Sequence, residues 1–261
     1  DLRMSRGLGD VYKRQENNER FTQCHEFEAV YGGGEANTAV SLANFGVDCG
    51  FVTKLPEHSI GQSAVNSLRQ YGVDISNIVR GGDQIGIYFL EKKTSQRPTN
   101  VIYNRSGSAI ALAEESDFDW DKIFKDATWF HFSGITPAIS DNMAKITLAA
   151  CKAAKEKGLT ISCDLNYRSK LWSSEKANKV MSELCPYVDI CIANEDDAVG
   201  IFSMDASKSD KEKNAYIAEE LTKRFPFKMV ASVWRTETSI TTFKLQSMIC
   251  LLYTSDAADE L

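Results

Sequence analysis

YGGGEANTAVSLANFG, residues 31–46, places three consecutive glycines directly before a segment with helical periodicity. Ala36, Ala39, Val40 and Ala43 recur at the spacing of one helix face, and Gly46 is placed to stop the helix. Glycine permits positive φ and leaves no Cβ in the way of an approaching group. The unpaired amides of a first helical turn attract polar or anionic groups. Gly32, Gly33 and Gly34 therefore mark either a tight strand-to-helix turn or a place where a ligand meets backbone. The stretch is neither a Walker loop, since no Lys followed by Ser or Thr stands at the required spacing, nor a GxGxxG.

Outward from this helix the chain alternates. CGFVTKL (49–55) reads as a strand, and Ala64, Val65 and Leu68 mark a helix closed by Gly72. WFHFSG (129–134) opens with a strand. Ser140 is placed to cap a helix carrying Met143, Ile146, Ala150 and Ala154, with Gly158 as its stop. LTISCDL (159–165) reads as a buried strand, followed by a helix around 180–184. YVDICIAN (187–194) is another strand, with Asn194 able to cap the helix after it. Ile217, Leu221 and Phe225 share a helix face before the strand KMVASVW (228–234). Strands separated by helices imply a mostly parallel sheet covered on both faces, a three-layer α/β/α fold.

One region breaks the rhythm. GIYFLEKK (86–93) and TNVIYNRSG (99–107) are two strands with only a short polar link between them. They read as a small β lid spanning about 84–107, to which FTQCHEFEAVY (21–31) adds a strand. A lid over the carboxyl ends of a parallel sheet suits a small-molecule site.

Bulk properties narrow the classes. With 261 residues, 43% of them apolar, the chain can build one large domain. The net charge of -6 argues against a nucleic-acid binder. No apolar run approaches the roughly 20 residues that span a bilayer. Seven cysteines without a CxxC pair, mostly among apolar residues, indicate reduced thiols and a cytoplasmic protein. His25, His58 and His131 are scattered and offer no metal-ligand spacing.

Chemistry-bearing residues gather at strand ends. Tyr88 lies on one lid strand; Tyr103 and Arg105, two apart on the other, share a face. Together they are either a carboxylate-binding pair or a packing tyrosine beside a solvated arginine. Asp164, Asn166 and Arg168 follow the strand LTISCDL, where α/β folds keep their sites. If the chain stays extended, all three face one way; the alternative is a polar loop with a structural aspartate.

These segments together resemble the PfkB, or ribokinase-like, family of carbohydrate kinases. YGGGEANTAVSLANFG, FVTKLPEHSIGQSAVNSLRQYGVD, GIYFLEKKTSQRPTNVIYNRSGSAIA, WFHFSGITPAIS, SCDLNYRSKLW and CIANEDDA carry the likeness over about residues 16–236. The lid strands match most specifically the branch that acts on 2-keto-3-deoxygluconate. The resemblance implies transfer of the ATP γ-phosphate to a hydroxyl of a small keto-sugar acid. Gly33, Gly34 and Asn37 would meet substrate hydroxyls, Tyr88 and Tyr103 would shape the pocket, and Arg105, Asn166 and Arg168 would line it. On the nucleotide side, Asn194 to Asp197 resembles the family's NxxE segment, which helps order Mg²⁺ and phosphate, with Asp197 in place of Glu. Segment 194–197 can equally be a helix cap with acids on the dipole. Arg235 resembles an arginine near the ATP phosphates. Other kinases of this fold, such as fructokinase or ribokinase, and a non-catalytic sugar-binding remnant are the competing readings. A homodimer through the lid edges is also expected.

The family's late Gly-x-Gly-Asp, source of its catalytic base, does not occur after Arg235. GLGD at 7–10 and GGDQ at 81–84 stand in the wrong places, so neither Asp10 nor Asp83 inherits that role. Residues 1–15 and 243–261 resemble translated adapter sequence. The expected domain is therefore 16–242, an incomplete kinase domain with non-native termini, exposed apolar surface and no turnover of its own.

Overall fold

The computed structural model describes residues 2–5, 10–14, 20–91, 98–205, 207, 210–237 and 242–251. In chain order the elements are β1 (Leu2–Ser5), β2 (Asp10–Arg14), β3 (Glu28–Gly32), α1 (Gly34–Asn44), β4 (Cys49–Leu55), α2 (Ser59–Arg69), β5 (Ile78–Arg80), β6 (Ile87–Glu91) and β7 (Asn100–Asn104). They continue with α3 (Trp120–Ile123), β8 (Trp129–Ser133), α4 (Ile135–Ala138), α5 (Asp141–Glu156), β9 (Thr160–Asp164), α6 (Ser174–Leu184), β10 (Ile190–Ile192), α7 (Glu195–Phe202), α8 (Asp210–Arg224), β11 (Met229–Glu237) and β12 (Phe243–Leu251). Eight strands form one sheet in the order β12-β11-β10-β9-β8-β1-β4-β5. Every neighbouring pair in it is parallel except β11 with β12. The remaining four form the lid, in the order β3-β2-β6-β7. This is the expected α/β architecture with a mostly parallel sheet and a small β lid.

The alternation of each strand decides which layer it feeds. Phe130 and Phe132 of β8 are buried in the main core with Ile161 and Cys163 of β9. Met143, Ile146, Ala150 and Ala154 of α5 close over them, at the helical spacing the sequence gives. Ser140 caps α5 by accepting the Met143 N–H at 3.1 Å. Each fully buried aromatic or aliphatic side chain there contributes roughly 1.5–3 kcal/mol. A second cluster packs Ala36 and Ala39 of α1 and Ala64, Val65 and Leu68 of α2 against Phe51 and Leu55 of β4. Small residues on α1 let that helix lie close to the sheet, which brings its glycine-rich start near the strand ends. On the opposite side of β8 from the two phenylalanines, His131 is buried, its Nδ1 2.8 Å from the Ser162 hydroxyl, which also accepts the Trp129 indole N–H at 2.8 Å. Burial pushes the His131 imidazole down to about 4.

Two segments set outside the domain on sequence grounds enter the sheets. Leu2–Ser5 pairs in parallel with both β4 and β8, and Asp10–Arg14 inserts between β3 and β6 in the lid. Phe243–Leu251 pairs antiparallel with β11 along all nine residues. Segments on both sides of the expected domain 16–242 thus contribute strands to the two sheets. Strands of four and five residues offer too few positions for an alternation to register. The lid segment 21–31 is only partly strand: β3 begins at Glu28, and Phe21 to Gln23 form a turn. The link between β6 and β7 falls mostly at 92–97, and the tail beyond Leu251 at 252–261, outside the described residues. One face of β11 and β12 carries exposed Val233, Leu245, Ile249 and Leu251.

Candidate functional site

The parallel strands end on the side where β9 and β10 pass into their loops and where α1 begins. β1 lies between β4 and β8. The chain therefore leaves the sheet in opposite directions on its two sides, and such a switch point opens a crevice. A cavity of about 600 Å³ occupies it, roofed by the lid. Gly33, Gly34, Asn37, Tyr88, Tyr103, Arg105 and Arg168 all line this cavity. Seven of the eight residues expected on the substrate side thus converge, from the α1 start, the lid and the loop after β9.

Each wall has a local cause. Gly33 is the N-cap of α1, and no side chain caps the helix; the acid in its first turn, Glu35, is buried and accepts the Ser133 N–H and the Thr136 hydroxyl. Tyr88 and Tyr103 are direct cross-strand partners on β6 and β7, with ring centroids 5.9 Å apart. The Arg105 guanidinium lies 4.4 Å from the centre of the Tyr103 ring, which fixes the long side chain over the cavity.

The loop after β9 departs from the expected extended run. β9 ends at Asp164, and Asn166 adopts φ 38°, a left-handed conformation that turns the chain. The turn separates the three polar residues: Arg168 reaches the cavity, Asn166 does not line it, and Asp164 lies behind its wall. Gly134 permits this crossing. Its N–H donates to the Asp164 carbonyl at 2.8 Å, and a Cβ at Gly134 would lie 2.1 Å from the Leu165 carbonyl oxygen. Burial, followed by the negative charges of Asp197 and Glu35, pushes the Asp164 carboxyl up to about 7 against the pull of Arg168.

The segment read as the nucleotide side does structural work here. Asn194 and Asp197 form a reciprocal cap on α7: Asn194 Oδ1 accepts the Asp197 N–H at 3.0 Å, and Asp197 Oδ2 accepts the Asn194 N–H at 3.1 Å. Asp197 Oδ1 accepts the Tyr167 N–H at 2.7 Å. Each oxygen of this buried acid already accepts one backbone amide, so any part in ordering Mg²⁺ or phosphate would use its remaining lone pairs or pass through water. Glu195 is held by Lys213 at 2.9 Å. Arg235 is exposed on β11, opposite Leu245, away from the cavity. Among the described residues no group of three or more His, Cys, Asp or Glu is placed to hold a metal ion.

Sequence reasoning passed over several lining residues: Ile135, Tyr167, Ser169, Lys170, Leu171 and Asp196. Lys170 and Ser169 follow Arg168 in the same loop, so proximity to a chosen arginine was the available signal. The cavity lining carries three cations, Arg105, Arg168 and Lys170, against one acid, Asp196. A second cavity of about 490 Å³, between β3, α1 and α2, has no charged lining residue. The excess positive charge singles out the first cavity for an anionic ligand. Among the described residues no helix is long and apolar enough to cross a membrane.

Comparison with known proteins gives a consistent picture. Residues 7–230 match the description "pfkB family carbohydrate kinase", a match that begins inside the segment 1–15. A 2-dehydro-3-deoxygalactonokinase of Haloferax volcanii is 35% identical over 214 residues, covering 81% of this chain and 64% of that protein. The crystal structure of a 2-dehydro-3-deoxygluconokinase from Thermotoga maritima superposes with a TM-score of 0.91 at 44% identity, over 96% of this chain and 76% of its own. An uncharacterized sugar kinase from Pyrococcus horikoshii, solved in complex with ATP, shares the fold at a TM-score of 0.71 and 20% identity, over 97% of this chain and 77% of its own. The chain thus spans less than two thirds of the length of the curated relative it matches.

Proposed function

The chain belongs to the pfkB family of carbohydrate kinases, and from that premise we propose that its lidded cavity is the acceptor site of a sugar-acid kinase. The ligand is 2-keto-3-deoxygluconate or a close relative, and the reaction is transfer of the ATP γ-phosphate to one of its hydroxyls. The observation that carries this reading is the convergence of Arg105 from the lid and Arg168 from the β9 loop over the uncapped start of α1. A neutral sugar offers two guanidinium groups only uncharged hydroxyl acceptors, whereas a carboxylate matches their planar fork with bidentate, charge-assisted bonds. Asn37 and the backbone at Gly34 supply hydrogen-bonding groups for hydroxyls. Tyr88 and Tyr103 supply a flat wall with phenol donors.

Binding places the acid; the lid shields it from water, which strengthens each charge contact. Asn194, Asp197 and Arg235 hold α7 or stand on β11, so no step is routed through them. No residue of this chain is assigned as the catalytic base, and the test is therefore ligand binding rather than turnover. Calorimetric titration with 2-keto-3-deoxygluconate, with fructose, and with both against Arg105→Ala separates the readings. The acid is expected to bind, and fructose to bind at least tenfold more weakly. Arg105→Ala is expected to weaken the acid by about 10- to 100-fold, equivalent to roughly 1.5–3 kcal/mol for a hydrogen bond to a charged group. Equal affinity for fructose, or an equal loss for both ligands, would transfer the site to a neutral-sugar kinase.

A further inference from the structure

We propose that the cavity between β3, α1 and α2 is a second ligand site: it takes an uncharged heteroaromatic ring of the nucleobase kind, and it is coupled to the acceptor cavity through Asn37. The site stands on its own geometry; only the coupling rests on the sugar-acid reading above.

The cavity lies where three elements meet. β3 is the outer strand of the lid and runs directly into the start of α1, and the end of α2 closes the third side. Gln70 is the C-cap of α2, and Gly72, at φ 81°, turns the chain away, which leaves Tyr71 exposed at the cavity margin. The volume of about 490 Å³ is that of a small-molecule site. Buried Ala36 and Leu68 form the floor. Val30 and Val40 add apolar walls, and Tyr31 and Tyr71 add aromatic ones. Asn37, Ser41, Ser67 and Gln70 bring hydrogen-bonding side chains. The Ser67 hydroxyl donates to the Ala64 carbonyl at 2.7 Å, and the Gln70 amide nitrogen to the Ser67 carbonyl at 3.3 Å. Both side chains therefore keep an oxygen able to accept. One side of β3 has no strand partner among the described residues, so backbone groups of residues 29–32 join this set.

The lining selects its ligand by exclusion. With no charged residue in it, an acid or a phosphate would leave its charge unpaired. A polyol would lay hydroxyls on the apolar floor without partners. A flat ring stacks on tyrosine and covers Ala36 and Leu68, and its polar edge meets the amides of Asn37 and Gln70, side chains whose donor and acceptor pair matches a base edge. Asn37 also lines the acceptor cavity. Its Oδ1 lies against the end of β3, 3.6 Å from where a Cβ on Gly32 would stand, so one amide forms part of the partition between the two cavities. A base edge that takes this amide from one side withdraws it from ligand hydroxyls on the other. Each ligand then weakens the other by the same factor.

The probe is adenosine. Equilibrium dialysis of the wild-type chain is expected to show saturable adenosine binding that excess sorbitol does not displace. Tyr71→Ala removes an aromatic wall, and Ser41→Trp fills the cavity from α1; each is expected to weaken adenosine by about tenfold or more. Both positions are exposed, so the melting temperature of each variant should match wild type. Saturating adenosine is expected to weaken calorimetric binding of 2-keto-3-deoxygluconate by about two- to tenfold in the wild type, the worth of one neutral hydrogen bond, and not in Ser41→Trp. No saturable binding of adenosine, or binding that both variants leave intact, overturns the site. Displacement by sorbitol gives the cavity to a polyol and overturns the ligand class. Unchanged acid affinity under adenosine overturns the coupling through Asn37. Absence of acid binding overturns the sugar-acid reading and the coupling with it, while the adenosine measurements still decide the site.

Discussion

Asp197 accepts the backbone N–H of Tyr167 at 2.7 Å, tying the start of α7 to the loop that follows β9. One carboxylate therefore stabilises two strand-end loops at once, because its other oxygen accepts the Asn194 N–H. Asp197→Ala removes both bonds and leaves only the Asn194 half of the reciprocal cap, because the backbone N–H at 197 still donates to Asn194 Oδ1. A loss of about 2–4 kcal/mol in unfolding free energy is expected, read by urea denaturation. A stability equal to wild type would mean that the α7 start does not hold the loop.

Gly134 and Gly200 are both close-approach glycines, yet they face different walls. A Cβ at Gly134 would meet the Leu165 carbonyl oxygen, which is backbone; one at Gly200 would meet the Tyr167 ring, which can rotate. Gly200 also sits inside α7, where alanine gains roughly 1 kcal/mol of helix propensity. Gly134→Ala should lower Tm markedly, consistent with an overpacking cost of about 1–3 kcal/mol or more. Gly200→Ala should lower it less. The reverse order in a thermal melt would contradict the rigid-wall account.

His131 and Asp164 carry opposite pH dependences. His131 titrates at about 4 in the folded chain against an ordinary 6.5, so across that interval the unfolded chain holds the extra proton and stability rises with pH. Asp164 titrates at about 7 against 3.8, so across its interval the folded chain holds the extra proton and stability falls as pH rises. Between pH 4 and 6.5 the two slopes oppose one another, each at most about 1.4 kcal/mol per pH unit. Asp164→Asn should expose a rising profile there, and His131→Gln a falling one, relative to wild type. Denaturation at several pH values checks this; parallel profiles for the two variants would refute it.

Thiol reactivity should divide the seven cysteines. Cys49, Cys151, Cys163, Cys185 and Cys191 are buried, while Cys24 and Cys250 are partly open. Burial pushes the Cys185 thiol up to about 12 and raises Cys151 further. Thiolate is the reactive form. Native protein should react quickly with Ellman's reagent at no more than two sites, and denatured protein at all seven. Rapid modification of four or more in the native state would contradict the buried cluster.

The central α/β pattern was legible because buried helices and strands of ordinary length display their period. Met143, Ile146, Ala150 and Ala154 mark α5 without ambiguity, and Phe130 and Phe132 mark one face of β8. The convergence of Gly34, Tyr88, Arg105 and Arg168 was legible because strand ends and helix starts are where such folds collect polar groups. The path of the β9 loop was not. Nothing in SCDLNYR states that Asn166 turns left-handed, since the path of that loop depends on the room that Gly134, on another part of the chain, leaves beside Leu165. The double engagement of Asp197 was equally hidden, because the Tyr167 amide that fills one oxygen lies thirty residues away. Four-residue β1 carried no period at all.

That short strand has a consequence for assembly. Its partners on either side, β4 and β8, lie roughly 45 and 125 residues further along, and each pairs with it in parallel. The middle of the sheet therefore closes only after distant stretches have met, a slow event in a folding chain. Until then the polypeptide consists of two half-sheets with raw inner edges, the period in which it is most exposed to pairing with its neighbours.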